Sequence, residues 1–314
     1  MTRFYGLSLA AGLLSALLFM TVVGNVALGP LLTYLAPLPL MAVGLSLGTT
    51  ASLIAAGVGI AGSALATSGI LAPVYAIGAA LPAVIIVRQA LLGRPTQDGG
   101  TEWYPPGLIL GWLSAVAAIL LLIGAAMAPA HDEGLRGAVH DLLTQALSAM
   151  AADVPEGMRT QVVELWTPLF PALVGIAWLV GAAVNGAMAQ ALLVRSGHAI
   201  RTSPVWSEEL DLPDWVAGAL VVTAIASLLT GGTLGYLAGN LAVLFAAPYV
   251  FVGLAVVHRA VRSKPNAKLL LALFYVVFIV ASGWMVFVIA GLGLIRHWAR
   301  LRRRYAGGSG QEEK

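Results

Sequence analysis

The sequence predicts an all-α, polytopic transmembrane helix bundle: about eight spanning helices, a short C-terminal helical hairpin and a periplasmic amphipathic helix. Two observations carry that prediction. Hydrophobic residues make up 59% of the 314-residue chain and charged residues only 10%, where an ordinary soluble domain carries roughly 25% charged. A soluble fold cannot hide that much apolar surface. The charges are also segregated. No Asp, Glu, Lys, Arg or His occurs in 4–87, and comparable gaps cover 103–130, 165–194, 215–257 and 269–295. Uncharged apolar runs of about 18 residues or more read as spanning segments. They must be helical, because lipid offers no partner to a free backbone N–H or C=O. The alternation of a barrel strand is absent.

Taken in order, helix one covers 5–27 and breaks at Gly29-Pro30. A shorter segment over 30–47 is interrupted by Pro37 and Pro39, since proline removes a donor and clashes with the preceding turn. Helices follow over 49–67 and 70–92, then a polar loop and Trp103-Tyr104, an aromatic pair suited to the membrane interface. Helix five covers 107–128. The longest polar connection, 131–160, carries Leu135, Val139, Leu142, Leu143, Leu147 and Met150 on one helical stripe, the pattern of a helix lying on the membrane surface. Helix six covers 165–193, helix seven 215–234 and helix eight 236–257. Residues 1–298 form one transmembrane domain, and 299–314 a basic, disordered cytoplasmic tail.

Charge sets the orientation. With the N-terminus inside, the loops holding Arg88, Arg94, Arg195, Arg201 and Arg259 to Lys268 are cytoplasmic. Only Arg136 and Arg159 lie outside, provided that the tail returns inside, which leaves 15 of 17 basic residues cytoplasmic as the positive-inside rule requires. A single crossing over 269–295 would put the tail arginines outside. Ser282-Gly283 therefore marks the turn of a two-helix hairpin, and both termini are cytoplasmic in a bacterial inner membrane. The N-terminal apolar run is too long for a cleaved signal peptide and reads as an uncleaved helix.

Small residues recur at four-residue spacing. Ser8, Gly12 and Ala16 share a face of helix one. Ala51, Ala55, Gly59, Ser63 and Thr67 form a longer strip on helix three, and Gly231, Gly235 and Gly239 lie at the junction of helices seven and eight. Such faces let helices approach closely. They serve packing within the chain or, on helix one above all, docking of a partner subunit. Polar residues within the spans are few: Asn25, Asn185, Gln190 and Asn240, with Tyr34, Tyr75, Trp178, Tyr236 and Tyr249. Tyr34, Trp178, Asn185, Gln190, Tyr236 and Asn240 are the ligand-binding candidates, although buried amides more often bond helix to helix than hold a ligand.

No Asp, Glu or Lys falls within a span, which argues against a proton relay. Cysteine is absent, so there is no disulfide or thiolate metal site. His131 and His140 are nine residues apart and do not share a helical face, so no metal site is assigned. His258 and His297 sit at helix ends, where snorkelling accounts for them. No nucleophile–base set or phosphate loop is present. The chain reads as a protein without catalytic residues or cofactors. Its basic residues report topology and imply no nucleic acid.

Several segments together resemble a known family. They are Tyr34-Leu-Ala-Pro-Leu-Pro-Leu40, Glu102-Trp-Tyr-Pro105, Leu212-Pro-Asp-Trp215, Leu234-Gly-Tyr-Leu-Ala-Gly-Asn-Leu241, Gly253-Leu-Ala-Val-Val-His258 and Gly291-Leu-Gly-Leu-Ile-Arg296. Their order and spacing resemble the YybS-like family of bacterial membrane proteins of unknown function. Many members carry an acidic residue before the basic tail where this chain has Arg296. More distantly, such proteins are similar to the substrate-binding components of energy-coupling-factor transporters. That resemblance implies an outward ligand pocket and a small-residue face on helix one, compatible with Ser8, Gly12 and Ala16, that docks a membrane partner. The expected function is small-molecule binding or uptake, and the alternative is a non-transporting scaffold or assembly factor. The expected partners are the lipid bilayer, another membrane subunit and a small-molecule ligand.

Overall fold

The computed structural model describes residues 1–23, 28–128, 130–151 and 153–308. The all-α polytopic bundle is borne out. Among the described residues, eight helices are long and apolar enough to cross a membrane, and the only strands form a short ribbon. Asn25 lies outside the described residues. The chain forms two compact units, each built from separate stretches: Met1–Leu113 with Trp178–Val205, and Ser114–Ala177 with Trp206–Lys314.

The first unit holds α1 (Thr2–Met20), α2 (Gly29–Tyr34), α3 (Pro37–Leu47), α4 (Thr49–Ala66) and α5 (Ala72–Tyr75). A π-helical turn (Ala76–Ala80), α6 (Leu81–Ala90) and the ribbon β1 (Gly93–Pro95) and β2 (Thr101–Trp103) follow. The prolines break 29–47 as expected, with a turn between α2 and α3. Helix one stops at Met20, earlier than its apolar run suggests. Thr21 turns its hydroxyl back onto the Leu18 carbonyl, 2.7 Å, and lies 3.1 Å from the Gly29 carbonyl, a local bond that competes with helix continuation. Gly48 joins α3 to α4 at φ +101°, a conformation that side chains resist.

α1 packs on α4. A Cβ at Gly12 would strike the Ala55 carbonyl and Val58, and one at Gly59 would strike the Tyr75 ring. The Tyr75 hydroxyl donates to Ser15 Oγ at 2.7 Å, and Ser15 donates to the Ala36 carbonyl at 2.6 Å. That relay ties α1 and α5 to the break before α3. Leu40, Met41 and Tyr75 are fully buried around it. Within lipid the drive for this packing is dispersion and hydrogen bonding rather than water release.

α7 (Pro106–Met127) and α10 (Phe170–Ser196) each contribute to both units. The second unit adds α8 (Gly134–Met150), α9 (Glu156–Trp166), α11 (Trp206–Glu209), α12 (Asp214–Leu229), α13 (Gly232–Arg262), α14 (Ala267–Val280) and α15 (Ser282–Gly308). The amphipathic segment is therefore a helix pair. Val139 and Leu143 of α8 and Val163 of α9 bury together, with Phe170 and Tyr236 against them. Helix six starts at Phe170 rather than 165, because Pro168 and Pro171 interrupt the run.

Three expectations need correction. α12 has 16 residues and is not among the eight long apolar helices; the segment Gly283–Arg303 is. The chain does break at Ala281, between α14 and α15. α15, however, does not return toward Arg262 and Lys268. It lies antiparallel along α13, with Gly253 against the Ile289 carbonyl and Gly293 against the Tyr249 carbonyl. The two glycines allow that backbone approach, which hydropathy cannot register. The basic segment expected to be disordered from 299 continues α15 as helix to Gly308. Its Leu and Arg residues are good helix formers, and Arg300 is anchored at the start of that segment. Residues 309–314 lie outside the described residues.

Candidate functional site

The six ligand-binding candidates do not converge on one cavity. Tyr34, Trp178, Asn185 and Gln190 belong to the first unit, and Tyr236 and Asn240 to the second. Five of their side chains, all but that of Tyr34, bond to backbone groups, four of them at breaks beside prolines or at the π turn. Leu81 N–H bonds the Ala76 carbonyl in π register. In that register Ile77 would need the N–H of residue 82, and Pro82 has none. Trp178 Nε1–H supplies the missing donor at 2.8 Å. Asn185 donates to the carbonyls of Tyr34, beside the α2–α3 turn, and of Gly181, both at 2.8 Å. The Tyr34 ring itself packs over Gly181 and is half exposed. Gln190 donates to the Arg201 carbonyl at 2.9 Å.

In the second unit Tyr236 donates to the Thr167 carbonyl at 2.6 Å, and Asn240 donates to the Pro168 carbonyl at 3.1 Å. Asn240 also accepts the Ala172 N–H at 2.9 Å. These polar groups satisfy backbone that lipid could not. The small residues likewise serve packing. Ser8, Gly12 and Ala16 are buried, and Gly12 sits against α4. Gly239 lies against Ser227 across the α12–α13 turn, Gly235 against the Thr230 carbonyl, and Gly231 is the residue preceding α13. The helix-one face therefore is not free to dock a partner.

A groove of about 620 Å³ lies in the second unit, within the roughly 300–1,000 Å³ of small-molecule sites. α7 lines it with Leu121, Gly124 and Ala125, α8 with Leu135 and Leu142, and α10 with Phe170 and Val174. Its polar edge is His131, Asp141 and Gln145. His131 Nδ1 accepts the Glu133 N–H at 3.0 Å. The neutral ring thus carries its proton on Nε2, which faces Asp141 Oδ2 at 3.3 Å. A Cβ at Gly137 would collide with that ring, so glycine lets the histidine lie against α8. The start of α8 is tied to α13 by Leu135 N–H donating to Thr233 Oγ1, 3.3 Å. The sequence marked the amphipathic segment as a surface helix but not the groove beneath it, because the space opens where α7 presents Gly124 and Ala125 to elements distant in sequence.

Sequence reading also missed an ionic cluster. Arg300 Nη2 donates to Asp214 Oδ1 at 2.8 Å and to the Leu212 carbonyl at 2.7 Å, and Nη1 lies 3.6 Å from Asp211. Arg296 lies 3.5 Å from Asp211. His297, expected to snorkel, is 2% exposed, with its ring edge-on to Tyr249 at 5.7 Å. Partners 86 residues apart leave no signal in local spacing.

Comparison with known proteins agrees with the helical architecture. No curated protein and no solved structure matches the chain. A model of the family described as "Predicted membrane protein (DUF2232)" matches residues 13–295, nearly the whole sequence. The chain belongs to this family of multi-pass membrane proteins.

Proposed function

We propose that the protein is a membrane component that binds a small molecule for uptake, acting by binding without catalysis, with the groove under α8 as its site. The groove carries this reading: it is mostly apolar, has one polar edge, and is roofed by a helix held at its start. That is the composition of ligand sites, and packing alone does not call for it. The reading takes up the YybS-like resemblance and the more distant one to energy-coupling-factor substrate-binding components. A component without an acidic or lysine relay in its spans would draw its energy from another subunit. One observation favours the alternative of a scaffold or assembly factor: α14 is apolar beyond Lys268 and none of its residues is buried, so it could seat a partner helix.

We place the chain in a bacterial inner membrane with its N-terminus cytoplasmic. α14, at about 1.5 Å per residue, reaches roughly 21 Å and falls short of a hydrocarbon core of about 30 Å. α15 would then cross alone, setting the C-terminus on the side opposite Lys264 and Lys268. With eight crossings and the N-terminus inside, this keeps the C-terminus cytoplasmic, as expected from charge, and sets Lys264 and Lys268 outside instead. The ion pairs of Arg296 and Arg300 with Asp211 and Asp214 hold the tail beside the loop that follows α10, on the same side of the membrane.

Purification in mild detergent, followed by mass analysis of what accompanies the protein, tests the function. The expected result is one small molecule at near-equal stoichiometry. A stoichiometric protein partner with no small molecule would overturn this reading in favour of the scaffold.

A further inference from the structure

We infer that the groove takes an amphiphile with a single apolar body and a cationic, N–H-donating head. The inference rests on the binding function proposed above and deepens it. Apart from Asp141 and Gln145 at the edge, the walls from α7, α8 and α10 offer the ligand no hydrogen-bonding side chain, so the bulk of the ligand must be apolar. Space exists for it because α7 presents small residues: a Cβ at Gly124 would meet no protein atom within 4 Å.

The polar edge sets the sign of the head. The Nε2 proton of neutral His131 faces Asp141, which leaves the second carboxylate oxygen of Asp141 and the Gln145 amide oxygen as acceptors toward the groove. His140 Nδ1 lies 3.6 Å from Asp141 Oδ1, too long for a hydrogen bond. Between residues 131 and 141 stand three carboxylates, Asp132, Glu133 and Asp141, against one guanidinium, Arg136. An anionic head would face like charge, whereas an ammonium would gain a charge-assisted bond to Asp141.

The test uses the full-length protein in nanodiscs, with dodecylammonium, dodecanol and dodecanoate offered separately and bound stoichiometry read by native mass spectrometry. Dodecylammonium should bind one to one and about tenfold more tightly than dodecanoate, the ratio of one charge-assisted bond. Asp141→Asn should abolish that preference while dodecanol binding persists. Gly124→Leu and Ala138→Phe, which fill the groove, should remove all three. Equal binding of the probes, a preference for dodecanoate, or a preference untouched by Asp141→Asn would overturn the inference. So would binding that survives both groove-filling variants, the signature of annular association only. If the protein instead co-purifies with a polar, tail-free molecule that Gly124→Leu expels, this inference falls while the binding function stands. If no small molecule of any kind occupies the groove, both fall.

Discussion

The side-chain oxygen of Asn240 accepts the backbone N–H of Ala172 at 2.9 Å, completing the first turn of a helix that Pro171 cannot complete for itself. The same amide donates to the Pro168 carbonyl. One side chain therefore closes both sides of the α9–α10 break. Replacing it with leucine leaves two backbone groups without their partner. Asn240→Leu is expected to lower stability by about 1–2 kcal/mol, the upper range for polar contacts in membrane bundles. A thermal melt in detergent reads this, and an unchanged midpoint would show that the amide is dispensable to the fold.

The Trp178–Ile77 bond makes a sharper claim, because it exists on account of Pro82. Trp178→Phe removes the indole donor and should cost about 0.5–1.5 kcal/mol. Pro82→Ala restores an N–H that Ile77 can use. In the Pro82→Ala background the Trp178→Phe penalty should fall to near zero. Additive effects in this double-mutant cycle would contradict the assignment.

Glycines on α1 and α4 separate packing from open surface. Gly12→Leu puts a side chain into the Ala55 carbonyl and Val58 and should abolish recovery of folded protein. Gly57→Leu, on α4 with no atom within 4 Å of the new Cβ, should be tolerated. Size-exclusion profiles of the two variants decide it. A well-folded Gly12→Leu protein would return the helix-one face to the role of partner dock.

Topology can be read directly, since the chain contains no cysteine. Single cysteines at Lys264 and Lys314 should react with a membrane-impermeant maleimide from opposite sides. Labelling from one side would restore the C-terminal hairpin.

Much of this fold was legible because hydropathy and proline placement are local signals. The charge-free runs marked the long apolar helices, Pro37 and Pro39 marked the α2–α3 break, and the stripe from Leu135 to Met150 marked α8. What escaped was relational. Asn240, Asn185 and Trp178 stood out as polar residues among apolar ones. Only the structure shows that each answers a backbone group more than 60 residues away in sequence. The C-terminal hairpin was misjudged because hydropathy and charge give no weight to the contact between α13 and α15 that Gly253 and Gly293 permit. The groove left no motif, since it opens where α7 presents Gly124 and Ala125 to elements distant in sequence.

The measurement that bears most directly on the account is the mass of the intact protein released from the membrane, compared with that of Gly124→Leu. The account predicts that wild type carries one small molecule and that the folded variant carries none. Two proteins equally loaded, or equally empty, would contradict a ligand site beneath α8.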